Sequence, residues 1–210
     1  MEYLKSIRTI KNLSEFTFKE KGSTFIGKAY PSGNSDTSME IISADKKEHY
    51  NATHVCSAFQ HLGGEIKYSD DGEPNGTAGI RIYNAIQHFD LTNVCITVIR
   101  YYGGTKLGVG PLGKAYYHAA YEAVSASEFE IKTNYSKYRV EYDYDFVSKI
   151  HHFLGMYNCK ITDNFFTTKP AIDFLILPEQ EEALIVEIQD ASRGRVKPEL
   201  LENNIFLPEK

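Results

Sequence analysis

Between residues 93 and 124 the apolar positions change period, and the change locates the middle of a fold. Residues 93–101, NVCITVIRY, form a run rich in Val and Ile, the pattern of a strand covered on both faces. From Leu112 onward the apolar residues fall at Leu112, Ala115, Tyr116, Ala119, Ala120, Ala123 and Val124, an i, i+3, i+4, i+7 stripe that predicts a helix lying on a core. The glycine-rich segment between them is therefore a strand-to-helix connection. Upstream, Phe16 and Phe18 alternate with Glu15, Thr17 and Lys19, Lys21-Gly22 supplies a turn, and 23–30 reads as the return strand of a β-hairpin. After the breaker at 31–34, residues 35–48 predict a helix with Met39, Ile42 and Ile41 turned inward. A strand follows at 53–62, alternating Val55, Ser57 and Phe59 with His54, Cys56 and Ala58, and a helix at 76–89.

The remaining residues follow a different order: strand 137–142, helix 146–156, strands 159–166 and 171–177, helix 179–191, and a last strand at 193–197. This β-α-β-β-α-β order is the ferredoxin-like signature, an antiparallel sheet with two helices on one face. Its second helix opens after Pro178 with Glu179, Glu181 and Glu182, where negative charge suits the helix dipole. The pattern predicts an α+β chain of two domains, 1–133 and 134–210, divided near Lys132 to Ser136.

Composition narrows the function classes. The chain of 210 residues is 42% hydrophobic and 24% charged, with a net charge of −5, so it has material for buried cores and no disorder-like bias. No run approaches the ~20 apolar residues that cross a bilayer, and the expectation is a cytoplasmic protein without membrane contact. Residues 1–133 carry 14 Lys/Arg against 15 Asp/Glu, so a broad DNA-binding surface is not expected. Cys56, Cys95 and Cys159 are far apart and sit in apolar segments, which suits core residues rather than a metal or disulfide framework. No metal or cofactor is expected, and the sequence carries no signal for oligomeric state.

Two loops carry the candidate chemistry. In RYYGGTKLGVGPLGKAYY (100–117) the glycines spell both G-x-G-x-x-G and G-x-x-x-x-G-K. A nucleotide-hydrolysing P-loop needs a Mg²⁺-binding hydroxyl after the lysine, where Ala115 stands, and Pro111 removes one cradling N–H. A dinucleotide fold needs further parallel βα units, and the chain turns antiparallel instead. What remains is either a tight connection whose glycines serve positive φ or close backbone approach, or an anion-binding helix start, with Arg100, Gly104, Lys106, Gly108, Gly110 and Lys114 as the candidate residues. The second loop, SDDGEPNGTAG (69–79), holds Asp70, Asp71 and Glu73. These carboxylates suit either Mg²⁺ or acid–base chemistry, with folding bringing Lys106 or His54 close, or else turn and helix capping.

SDDGEPNGTAG, followed after one helix by VIRYYGGTKLGVGPLGKAY (98–116), resembles the paired signature of the YigZ/IMPACT family. Phe25 with Gly27, and Ala52 with His54, match the same pattern, whereas Pro111 and Gly113-Lys114 depart from it while keeping the positive charge. The resemblance implies an N-terminal domain of ribosomal-protein type with a left-handed βαβ crossover and a ferredoxin-like C-terminal domain, a pairing similar to two adjacent domains of elongation factor G. It also implies a link to translational control, since eukaryotic IMPACT proteins bind a regulator of an initiation-factor kinase; those members carry a different extra domain, so that partner does not carry over to this chain. Two functions stay open. One is a non-enzymatic binding protein contacting RNA or a ribosome-associated protein; the other is a small-molecule or phosphate-ligand enzyme with its site between the two loops.

Overall fold

The computed structural model describes residues 4–166 and 168–209. Its elements run β1 (Ser6–Ile10), β2 (Ser14–Glu20), β3 (Ser23–Pro31), α1 (Ser35–Glu48), β4 (His54–Gln60), β5 (Ile66–Ser69), α2 (Gly79–His88), β6 (Val94–Tyr101) and α3 (Val109–Ser125). There follow β7 (Phe129–Glu141), α4 (Val147–Met156), β8 (Lys160–Phe166), β9 (Pro170–Ile176), α5 (Glu181–Ser192) and β10 (Glu199–Pro208). Contacts divide the chain into Arg8–Glu130 and a second unit that joins the described residues before Arg8 to those from Ile131 on. The first strand thus contributes to the sheet of the C-terminal half, which residues 1–133 read as one domain did not anticipate. Backbone bonds from Asn134 N to Lys5 O (2.9 Å) and from Lys11 N to Glu128 O (2.9 Å) bracket the antiparallel pairing of β1 with β7.

In the unit Arg8–Glu130 the sheet order is β2-β3-β6-β4-β5, with every neighbouring pair antiparallel. β6 is central and its first seven residues are buried, as its Val/Ile run requires. One face, with Cys56, Ala58, Val94, Ile96 and Val98, meets α2 and α3, where the stripe from Leu112 to Val124 is buried. The opposite face, with Phe59 and Cys95, meets α1 through Ile42. Met39, expected inside, is 45% exposed. α1 instead buries Asp45, whose carboxylate accepts from Lys28 Nζ (3.3 Å), Tyr30 Oη (2.8 Å) and Thr97 Oγ1 (2.6 Å), so a polar network occupies the place of an apolar contact.

Two crossovers follow from this order. α1 links the parallel strands β3 and β4, α2 links the parallel strands β5 and β6, and each passes over one intervening strand. Relative to strand direction both step the same way across the sheet, yet their helices lie on opposite faces. The two crossovers are therefore of opposite hand, and one of them is the uncommon left-handed form.

On the α1 side His61 is 3% exposed, with Nε2 3.1 Å from Ser38 Oγ, and its buried Nδ1 has no hydrogen-bond partner among the described residues. Burial holds this imidazole below its ordinary 6.5, with Glu65 offsetting part of the effect. Because the folded value lies below the unfolded one, the unfolded chain takes up the proton first as the pH falls. Stability is then unaffected above about pH 6.5 and declines below it until the folded group titrates. Thermal melts across that range should show the decline, and His61→Phe should remove this component.

The other unit has the predicted β-α-β-β-α-β order, β7-α4-β8-β9-α5-β10, and its antiparallel sheet runs β10-β7-β9-β8, with β1 also on β7. Val140, Ile150, Leu154, Phe174, Leu184 and Ile188 form its core. The last strand lies at Glu199–Pro208 rather than 193–197. Arg193 (φ 55°) is the left-handed cap of α5, and Ser192 Oγ accepts from Val196 N at 3.0 Å, so the expected strand is a cap and turn. β10 escapes a period-2 reading because two register shifts interrupt its pairing with β7. No helix among the described residues is long and apolar enough to cross a membrane.

Candidate ligand-binding cleft

The acidic loop is held by two of its own carboxylates. Asp70 accepts from Gly76 N (2.9 Å), Ala78 N (2.9 Å) and Gly79 N (2.8 Å), capping α2 from nine residues upstream of its first residue, Gly79. Side-chain caps of this kind are worth about 0.5–2 kcal/mol. Asp71 accepts from Val55 N at 2.7 Å and Lys46 Nζ at 2.5 Å, tying the loop to β4 and α1.

Glu73 does something else. A turn bond from its N–H to Asp70 O (2.9 Å) carries it inward, where its side chain is 4% exposed. Oε1 accepts from Arg100 Nη1 at 2.6 Å and from Tyr116 Oη at 2.8 Å. Burial, joined by the Cys56 and Glu73 contacts, pushes the Tyr116 phenol far above its ordinary range, so it remains a donor. Oε2 lies 3.8 Å from His54 Nε2, and His54 Nδ1 donates to the Asp71 carbonyl at 2.8 Å. The Arg100 guanidinium, at the end of β6, sits 5.5 Å from the Phe25 ring and 5.4 Å from the Tyr102 ring. Burial also pushes the neighbouring Cys56 thiol up, which leaves it a poor nucleophile.

His54, Glu73, Arg100 and Tyr102 of this group line a cleft of about 430 Å³ together with Thr53, Pro74, Lys106, Leu107, Gly108, Val109 and Leu112. Both loops contribute to it. Lys106 is exposed, and no ion pair reaches it among the described residues. Beside it α3 begins at Gly108 (φ 87°) with no side-chain cap. Since Pro111 has no N–H, the first-turn donors are those of Val109 and Gly110.

Of the candidate residues, Arg100, Lys106, Gly108 and Glu73 line this cleft, while Asp70 and Asp71 support the loop behind it. Gly104 (φ 86°) and Gly108 owe their identity to positive φ, because a Cβ on either meets nothing within 4 Å; one on Gly110 likewise meets open space. Lys114 lies apart, lining a separate depression of about 270 Å³ with Phe18, Glu20, Pro111, Ala115 and His118. Tyr102, which lines the cleft, and Tyr116, which donates to Glu73, are side chains the sequence did not single out. Tyr116 sits in the apolar stripe of α3, and only its buried hydroxyl distinguishes it from a core aromatic. No group of three or more His, Cys, Asp or Glu side chains among the described residues is placed to hold a metal ion.

A family model, the Impact N-terminal domain, matches residues 21–124, a span that contains both loops and every cleft residue. The chain is 33% identical over 163 residues to an IMPACT family member of Haemophilus influenzae, covering 75% of this chain and 78% of that protein. The chain belongs to the IMPACT family. Within the family it is also 38% identical over 118 residues to YvyE of Bacillus subtilis (54% of this chain, 53% of YvyE) and 27% identical over 185 residues to YigZ of Escherichia coli (84% and 89%). The fold is similar, at a TM-score of 0.69 and 24% identity, to a crystal structure described as that of a hypothetical protein, over 95% of this chain and 99% of that one.

Proposed function

We propose that this IMPACT-family chain is a non-enzymatic regulatory protein linked to translation, which contacts RNA or a ribosome-associated partner through the cleft between its two loops. The observation that carries this reading is the matching of charge on the cleft floor. Glu73 neutralises Arg100 and accepts the Tyr116 hydroxyl, so Lys106 and the uncapped start of α3 are what the cleft offers to an incoming anion. The link to translation rests on the family. Membrane contact and broad DNA binding have no part in it, and the cytoplasm is its compartment.

The 3.8 Å approach of His54 to Glu73 favours a second reading, a small-molecule enzyme in which His54 Nε2 takes a proton from its substrate. A salt titration of single-stranded RNA binding separates the two. Lys106→Ala should weaken binding and reduce the salt slope by roughly 0.7, one phosphate contact, whereas Lys114→Ala should change neither. Equal slopes for the parent and Lys106→Ala would remove RNA as the ligand. Turnover of a small substrate that is lost in His54→Ala would replace the binding reading with the enzymatic one.

A further inference from the structure

The cleft floor holds two acceptors that no described residue bridges. The Asp71 carbonyl can only accept, so His54 Nδ1 carries the proton of that 2.8 Å bond, and in the tautomer with its single proton there Nε2 is an acceptor. Both donors to Glu73 go to Oε1, leaving Oε2 at 3.8 Å from that Nε2. In that tautomer the two acceptors do not bond to each other. A single group with two N–H donors satisfies both.

Charge selects the kind of donor. Arg100 already neutralises Glu73 in a buried setting, so an ammonium would place a second cation beside one carboxylate, while an uncharged amino group adds none. The walls select its carrier. Tyr102 presents a 44% exposed ring, and Pro74, Leu107 and Leu112 supply apolar surface, a lining suited to a flat ring. Lys106 and the start of α3 lie in the same cleft and favour an anionic group.

A flat neutral ring that bears an amino group and is joined to an anion is a nucleotide whose base has an exocyclic amine. We infer that the cleft binds such a nucleotide, with the base against Tyr102, the amine between Glu73 Oε2 and His54 Nε2, and the phosphate at Lys106 and the first turn of α3. A free nucleotide and an unpaired residue of single-stranded RNA share this chemistry. The inference rests on the binding reading above and gives that cleft its ligand.

Calorimetric titration of the full chain with AMP, CMP, GMP, IMP, UMP, adenosine, oligoadenylate and oligouridylate tests it. AMP should bind at least about tenfold tighter than IMP, whose carbonyl oxygen would meet two acceptors in place of the amine. Tyr102→Ala should weaken AMP binding and Tyr102→Phe restore it, while Lys106→Ala should weaken AMP and leave adenosine unchanged. Oligoadenylate binding tighter than AMP assigns the site to RNA, and equal affinities assign it to the free nucleotide; either supports the inference. No binding of AMP, CMP or GMP, or affinities for them equal to those for IMP and UMP, overturns it. If mixed-sequence RNA still binds with a Lys106-dependent salt slope in that case, the regulatory reading survives without it. Loss of both overturns both.

Discussion

Glu73→Ala is expected to destabilise the unit Arg8–Glu130 by about 3–5 kcal/mol, because it strands the buried Arg100 guanidinium without a counter-charge. The side chains of Glu73 and Arg100 are 4% and 7% exposed, so water reaches the 2.6 Å contact only from the cleft and replaces it poorly. The same change removes the acceptor of the Tyr116 hydroxyl. Replacing the pair together, as Glu73→Leu with Arg100→Met, should recover most of the loss, since a buried ion pair exchanged for apolar groups of similar volume is often neutral. Amide hydrogen exchange in β6 reports this unit and supplies the measurement for both singles and the double. Equal losses in the single and double variants would show that the pair's geometry, rather than its charge, carries the stability.

Gly27→Ala should cost about 3 kcal/mol, a large effect for one methyl group. A Cβ on Gly27 would sit 2.2 Å from the Ala119 carbonyl oxygen and 3.3 Å from Ala123 Cβ, so α3 must retreat from β3. Ala119, Ala120 and Ala123 are the residues that let the helix approach so closely, and the retreat would separate all of them from the sheet. The helix that moves carries Tyr116 and begins at the cleft, so ligand binding should fall with stability. Gly33→Ala, where a Cβ meets nothing within 4 Å, is the control and should stay within about 0.5 kcal/mol of the parent by the same exchange measurement.

The parts of the fold legible in the sequence are those where burial imposes a period. β6 is covered on both faces and reads as an unbroken apolar run; α3 is covered on one and reads as a stripe. β5 is an edge strand whose four residues are all exposed, so it leaves no alternation to find. α1 misled for the opposite reason, since its inward face holds Asp45 and Ser38, and polar groups satisfied by partners distant in sequence look like surface residues.

The cleft was legible in part. Turn formers and glycines marked both loops, and Arg100, Lys106, Gly108 and Glu73 were named from them. What sequence could not divide is the labour among three neighbouring acids, because the distinction between Asp70, Asp71 and Glu73 lies in which backbone N–H groups and which guanidinium each meets after folding. Lys114 and Lys106 are close along the chain, yet Lys106 precedes α3 and Lys114 lies within it, lining a different depression.

The pairing of β1 with β7 gives the chain a property that neither sheet reveals alone. Chain entry into the unit Arg8–Glu130 runs along one of these strands and exit along the other, held together from Lys5 and Asn134 to Lys11 and Glu128. In connectivity this unit is an insertion between two strands that pair with each other. A segment inserted between two paired strands can be exchanged, lengthened or lost without rethreading the chain that flanks it, because only the connection between those strands changes.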